Sequence, residues 1–359
     1  MRKSIKMAVF AGAACACMAG AGMSVKAADK VAINEKNFAP AVMEYAQNAD
    51  TNEDGFLSSK EASKVKKMRF DTRQYIDSFQ GVKYFTGLKK FIYEVAEYQQ
   101  DMTAAPDLDL SGMDKLEKVT IYSESMHIGT INLQNCTKLQ QLALIPDSEH
   151  MIYVDGINLR GCTNLDSFIC GGQTDQIDLS GLKKLEDVMF TGETETLNLD
   201  RCSKLKNIYI ISDTLKTLSL KGVRKLKGIT VKAPSLESLD LSKNKKLKNV
   251  NCHYTQITSL DLSGNKDLKY LHCQNNRKLT SLDVTGCTSL RYLRCHNTAL
   301  TKINVKTNKK LEILGCKNTK ITSLKLKKNR KLRFLNCMGT NVQKLDLSKT
   351  CIRGEGRLR

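Results

Sequence analysis

The sequence predicts a mainly β solenoid: an arc of about twelve short coils with a small helical cap at its N-terminal end. Three observations predict it. From residue 105 onward, apolar residues return at fixed offsets every 20 to 26 residues. Eight of these units place Asn or Cys at one and the same position. Ahead of the repeats, Asp50 to Glu61 forms a twelve-residue acidic loop between two stretches with helical apolar spacing.

The repeats come first because they fix the architecture. Counted from the leading apolar residue, units begin at Ala105, Ile128, Val154, Thr174, Thr194, Leu215, Leu236, Ile257, Leu279, Leu300, Ile321 and Val342, giving eleven full units and a partial twelfth. In "LTSLDVTGCTSLRYLRCHNTA", apolar and polar residues alternate, so a short extended segment turns Leu279, Leu282, Val284, Leu290, Leu293 and Cys295 inward and the others outward. One unit cannot bury its inner face alone. Stacking at about 4.8 Å per coil joins these faces into one core, an arc on the order of 55–60 Å long for twelve coils. The ninth position holds Cys136, Cys162, Cys202, Asn244, Asn265, Cys287, Asn308 and Asn329, a choice expected where an inward side chain must satisfy backbone groups at a turn. Thr255, Asn276, Thr298, Thr319 and Thr340 take the matching place in the second half-unit.

This pattern, LxxLxLxxN/CxxLxxLxCxxN/T with two half-units nested in each repeat, resembles the leucine-rich repeat family, in the 21-residue type found in exported bacterial proteins. The resemblance covers residues 105 to about 350. Thr where the family often has Asn is a departure that a hydroxyl can accommodate.

Cysteine use follows the same logic. Cys170, Cys252, Cys273, Cys295, Cys316 and Cys337 share one inward position, and a shared position implies a shared packing role, so a ladder of buried free thiols is expected in preference to disulfides. The pairs Cys252-His253, His272-Cys273 and Cys295-His296 look like zinc ligands, but adjacent strand residues face opposite ways. No Ser/His/Asp spacing, phosphate loop or carboxylate pair stands out, and the expected product is not an enzyme.

"DTNEDGFLSSKE" fits the twelve-residue EF-hand loop. Asp50, Asn52, Asp54, Ser58 and Glu61, with the Phe56 carbonyl, supply the oxygens that calcium needs, while Gly55 permits the bend and Leu57 anchors the loop. The alternative is an exposed Asp-Gly turn with incidental acids. Phe38, Val42, Met43 and Tyr45 are expected on one helical face ahead, and Ala62, Val65 and Met68 on another behind. EF-hands usually pair, and the missing partner is expected to be the start of the solenoid.

The expected organisation is a signal peptide over 1–27, an EF-hand-like calcium module over 28–67, an irregular cap over 68–104 and the repeats over 105–359. The signal is read from Arg2, Lys3 and Lys6, the apolar run from Met7 and the site Val25-Lys26-Ala27. Cys15 and Cys17 also admit a lipoprotein, although the usual Leu before such a Cys is missing. The cap keeps Leu88, Phe91 and Tyr93 at half-unit spacing, and a single EF-hand leading into repeats resembles a group of exported bacterial surface proteins. At the other end, "SKTCIRGEGRLR" stops inside the twelfth unit, which leaves either a truncation or a cap of unrecognised pattern.

Charge narrows the partner. Residues 215–359 carry 33 Lys and Arg against 8 Asp and Glu, whereas residues 28–214 carry 20 against 29. For an exported, surface-held or secreted chain this field favours a protein or an anionic glycan or cell-wall polymer over nucleic acid, the bland alternative being Lys used for solubility. No run after residue 28 is long and apolar enough to span a bilayer. The expected ligand face carries Tyr270, Tyr292, Ile313 and Phe334 in one column, His272 and Arg294 in a second, and Gln274, His296 and Lys317 in a third. The expected function is adhesin-like binding without catalysis. The alternative from another class is a calcium-stabilised spacer with no ligand of its own. An acidic column, Asp240, Asp261 and Asp283, marks the opposite face.

Overall fold

The computed structural model describes residues 30–72, 76–95, 105–123, 126–146 and 152–352. The signal-peptide and lipoprotein expectations fall outside the described residues, as do residues 353–359. Short parallel strands dominate, and the only helices among the described residues are Pro40–Ala49, Ser59–Ala62 and a 3-10 turn at Val82–Tyr84.

The repeats form a β solenoid. One strand from each coil joins a 13-stranded parallel sheet that runs from Lys67–Thr72 at one end to Phe334–Asn336 at the other. Eleven of these strands, beginning with Lys118–Ser123, come from the eleven full units. The other two, Lys67–Thr72 and Lys90–Val95, come from the segment expected to be an irregular cap, and they pair residue for residue from Lys67↔Lys90 to Thr72↔Val95. The partial twelfth unit adds no strand among the described residues, so the expectation of about twelve coils becomes eleven coils preceded by two strands of the same sheet. On the other side of each coil the first half-units pair only in patches, such as Ser259–Asp261 with Ser281–Asp283.

Periodicity explains this packing. Leu279, Val284, Leu290, Leu293 and Cys295 are fully buried or nearly so, Leu282 almost so, and their equivalents in every coil join one continuous core. The ninth position does the capping expected of it. Cys136, Cys162, Cys202 and Cys287 donate their Sγ–H to the carbonyls of Leu110, Leu133, Leu179 and Leu262 in the preceding coil, at 3.0–3.2 Å. Asn308 and Asn329 donate Nδ2–H to the equivalent carbonyls of Val284 and Val305, at 3.0 and 2.9 Å. Thr in the second half-unit differs: Thr298 and Thr319 bond Cys295 O and Cys316 O of their own coil, both at 2.8 Å, whereas Asn276 also reaches Cys252 O of the preceding coil. Asn276 thus ties neighbouring coils where Thr298 and Thr319 close their own.

The column Asp240, Asp261 and Asp283 has an equally local cause. Each carboxylate accepts the backbone N–H two residues on, from Ser242, Ser263 and Thr285, at 2.9, 2.8 and 2.7 Å. Asn132, Asn158, Asn198 and Asn304 make the same bond in other coils. These are turn-closing Asx residues, and the acidic column is a by-product of turn chemistry.

Over the N-terminal end sits an aromatic plug. Phe70 and Phe79 pack on Phe91 and Tyr93 with ring centroids 5.1–6.5 Å apart, and Phe38 packs on Phe85 at 6.3 Å. Leu88, Phe91 and Tyr93 are fully buried, as their spacing implied. Gly81 holds a left-handed φ of 95°, and a Cβ there would lie 2.4 Å from Phe38, so both backbone and packing require glycine.

Cys252, Cys273, Cys295 and Cys316 lie fully buried in successive coils, Cys170 nearly so and Cys337 half-buried, all as free thiols. Burial pushes the Cys252 and Cys316 thiols up to about 12 and lifts Cys273 and Cys295 well above their ordinary range. They therefore pack as small apolar groups. Cys295→Ala is expected to cost about 1–2 kcal/mol in chemical denaturation and Cys295→Asp far more, because Asp buries an unpaired charge; rapid alkylation of Cys273 or Cys295 in the native protein contradicts the packing. Asp261→Asn is expected to retain stability and Asp261→Ala to lose about 0.5–1.5 kcal/mol in the same assay, since only the former keeps the turn acceptor.

Candidate functional site

Two places collect the residues singled out in the sequence: the acidic loop and the outward face of the main sheet.

At the loop, helix Pro40–Ala49 buries Val42, Ala46 and Ala49, while Phe38 precedes it and Met43 and Tyr45 are only half-buried. The chain then bends through Glu53 and Gly55, with φ of 57° and 77°. Strand Phe56–Ser58 pairs antiparallel with Lys30–Ala32, so the loop's partner is the segment just ahead of the helix and not the start of the solenoid. The expected trailing helix is one turn, Ser59–Ala62. Val65 lies beyond it and Met68 is buried in the first strand of the main sheet, because its apolar alternation with Phe70 is of period two. Leu57 is buried, as an anchor must be.

Oxygens in the loop are held by local hydrogen bonds. Asp50 accepts from Gly55 N at 2.9 Å and from Asp54 N at 3.3 Å. Asn52 Oδ1 accepts from Asp54 N at 3.2 Å, and Asp54 Oδ1 from Phe56 N at 2.9 Å. Buried Glu61 accepts Ser58 Oγ–H at 2.6 Å, Ser58 N–H at 3.1 Å and Thr51 N–H at 2.9 Å, completing a capping box with Ser58. The Ser58 hydroxyl and backbone bonds, with that from Thr51, hold the Glu61 carboxyl at about 2. Lys30 Nζ bonds Asp54, lowering the Asp54 pKa and raising its own. Among the described residues no group of three or more His, Cys, Asp or Glu side chains is arranged to hold a metal. The donor chemistry suits a hard cation, and the Lys30 ammonium supplies the positive charge beside Asp54.

The sheet face aligns the other candidates. Register pairs Tyr270↔Tyr292↔Ile313↔Phe334 and His272↔Arg294↔Gly315↔Asn336, and the next column holds His253, Gln274, His296 and Lys317. Tyr270 is exposed and its ring stacks on Tyr292, centroids 4.9 Å apart and 19° from parallel. Tyr292, Ile313 and Phe334 are half-buried. In these three columns from Gly228 to Met338 there is no carboxylate, whereas Lys232, Arg294 and Lys317 are all cationic. Glu312 lies beside them and is held by Arg291 and Arg333, both at 3.1 Å. The thiols of Cys252 and Cys295 point inward while His253 and His296 are half-exposed, which separates the elements of the zinc-like pairs.

Sequence reasoning missed Met189 and Tyr209. Both are exposed on the same face, in register with each other one column over, and they line a depression of about 690 Å³ with Ile169, Thr230 and Tyr270. Their signal was the apolar residue at an outward strand position, visible once the register of the 20-residue units is known.

Among the described residues no helix is long and apolar enough to cross a membrane. Neither a protein-family model nor a curated protein matches the chain. Solved structures similar to it include bacterial leucine-rich repeat proteins. The functional domain of InlJ from Listeria monocytogenes, which includes a cysteine ladder, is 19% identical, with 88% of this chain and 77% of that one covered and a TM-score of 0.42. The internalin InlF from the same organism is 16% identical, covering 89% and 96%, with a TM-score of 0.49. YopM from Yersinia enterocolitica is 13% identical, covering 77% and 70%, with a TM-score of 0.41.

Proposed function

We propose that this chain is an exported, non-enzymatic binding protein, secreted or held at the cell surface, that engages a protein or an anionic glycan or cell-wall polymer through the outward face of its main sheet between Tyr270 and Phe334. One observation carries the reading: an in-register aromatic and aliphatic column lies beside cationic columns free of carboxylates, on a face where Tyr270 and Arg294 stand exposed. Apolar side chains aligned in water lose the stabilisation that burial gives, and Tyr and Arg are the residues that dominate docking energetics. Stacking of Tyr270 on Tyr292 fixes the rings before contact, which reduces the entropy lost on binding.

The acidic loop is the second part of the proposal. Asp50, Asn52, Asp54, Ser58 and Glu61, with the Phe56 carbonyl, would hold calcium, whose charge would replace that of the Lys30 ammonium at Asp54. Binding would tighten the module against the aromatic plug, through Tyr45, whose hydroxyl donates to Arg69 O at 2.7 Å and accepts from Arg69 N at 2.8 Å on the first strand of the sheet.

Each part has its test. Tyr270→Ser combined with Tyr292→Ser is expected to weaken capture of the partner, isolated with cells, wall polymer or host glycoproteins, by more than about tenfold while leaving the melting temperature unchanged; wild-type capture by the double variant moves the site off this face, and capture of none of these by the unaltered chain supports the spacer reading instead. Calcium at about 100 times its Kd is expected to raise stability by about 2.7 kcal/mol in melting curves against chelator. Asp50→Ala with Glu61→Gln is expected to abolish that shift, the Gln preserving the capping box, and Lys30→Gln to enlarge it at sub-saturating calcium. An identical shift in the Asp50/Glu61 variant removes calcium from the loop.

A further inference from the structure

Gly315 is the one residue without a side chain in the column Asn251, His272, Arg294, Gly315 and Asn336. Gly315 is buried, and a Cβ there would stand in ordinary van der Waals contact with Arg294 Cγ and His296 Nδ1, both at 3.9 Å, so the missing side chain leaves room of methyl size between those two groups. That space is part of a depression of about 590 Å³ lined by Arg294, His296, Lys317, Ile313, Phe334 and Asn336. The backbone there is not left-handed, so glycine answers no conformational demand at this position.

We propose that the Gly315 hollow is a subsite for an oxyanion, a sulfate or phosphate ester carried by the partner, and that protonation of His296, which lines it, and of His272, in register with Arg294, tightens it. This rests on the docking face proposed above. Arg294 offers a planar fork that matches two ester oxygens, Lys317 a point charge, and His296 a ring N–H. No carboxylate of the three columns competes for them, and Glu312 is already engaged by Arg291 and Arg333.

The three imidazoles face cations and neutral groups. His253 faces Asn251 Oδ1 at 2.6 Å, the Tyr254 ring and Lys232; His272 faces Arg294 and the other two histidines; His296 faces Arg294 and Lys317. Burial first, and these cations second, hold all three below the ordinary histidine range, so they are neutral at neutral pH. An anion in the hollow favours the charged form of His296 and of His272, and linkage then requires affinity to rise as pH falls. Without ligand the sign is opposite: the folded state resists protonation, so stability falls as pH drops below the unfolded histidine value of about 6.5.

Sucrose octasulfate is a suitable probe, because its sulfates keep their charge across the histidine range and any pH effect belongs to the protein. Calorimetry on the full chain at fixed ionic strength is expected to give about tenfold tighter binding at about pH 5.5 than at about pH 7.5, the gain when each binding event takes up on average roughly half a proton across those two pH units. Gly315→Val fills the hollow with a strand-compatible residue and is expected to weaken binding at least about tenfold at both pH values, with an unchanged melting temperature. Joint replacement of His272 and His296 by Gln is expected to flatten the pH profile, read as the ratio of the affinities at the two pH values. Inositol hexakisphosphate distinguishes the source: tighter binding than the octasulfate at about pH 7.5 assigns a phosphate ester, weaker binding a sulfate ester. Wild-type affinity in the Gly315 variant, or a pH gain that survives the double histidine replacement, overturns the subsite. If the octasulfate does not bind while partner capture still depends on Tyr270 and Tyr292, the subsite falls and the docking face stands. Octasulfate bound at Gly315 alongside partner capture indifferent to the tyrosines leaves the subsite and removes the aromatic docking reading.

Discussion

Everything in this molecule depends on each coil being finished by the next. The main-sheet backbone of one coil bonds only to its two neighbours, as in Cys273 N to Arg294 O and Cys295 N to Gly315 O, and the inward Leu and Cys of one coil cover those of the next. No coil has a core of its own. Register is consequently rigid: a one-residue slip would turn Leu293 out and Tyr292 in, and the ninth-position Asn and Cys would lose the carbonyls they cap in the preceding coil. The open end of such a stack needs a different solution, met here by the aromatic plug of Phe70, Phe79, Phe91 and Tyr93 and by the Tyr45 hydroxyl, which occupies both backbone groups of Arg69 on the edge strand.

Rigid register turns the surface into columns, and a column is an amplifier of residue choice. A Tyr at one outward position is an isolated exposed ring; at the same position in the next coil it becomes a stacked pair, as Tyr270 and Tyr292 are. A glycine in a column of longer side chains becomes a hollow with defined walls, as at Gly315. The binding chemistry proposed for this face needs no special loop or strained backbone, because the solenoid supplies spacing and orientation and the sequence supplies only identity.

How far the sequence disclosed this follows from the same distinction. Inward positions were legible because burial admits few shapes: Leu279, Leu290, Leu293 and Cys295 recur with little change and all proved buried. The aromatic column was legible once the inward set was fixed, since alternation assigns the rest. Three things were not. Met68 was read as the end of a helical face because Ala62, Val65 and Met68 carry helical spacing, and the residues after it as an irregular cap, yet Lys67–Thr72 is a strand whose pairing with Lys90–Val95 outweighs that short-range signal. Asp240, Asp261 and Asp283 looked like a charged face because their role is local: each serves its own turn, as Asn does elsewhere, and the alignment follows from the repeat. Gly315 was passed over because a missing side chain carries no chemical label until its neighbours are in place.

Charge adds a final step. Lys227, Lys248 and Lys269 stand in one exposed column, linked by successive backbone bonds from Lys248 N to Lys227 O and from Lys269 N to Lys248 O, and among the described residues none of the three makes an ion pair. Like charges a strand spacing apart repel by about 1 kcal/mol in water, less in salt. The chain avoids that repulsion elsewhere in the same column, where Glu186 meets Lys206, Glu117 meets Lys89, and Glu312 is set between Arg291 and Arg333. Core packing is indifferent to which residue occupies an exposed position, so stability alone gives no reason to leave three lysines unopposed beside the aromatic column. The anionic partner proposed for this face would supply the missing countercharge, along the edge on which Tyr270, Tyr292 and Arg294 are presented.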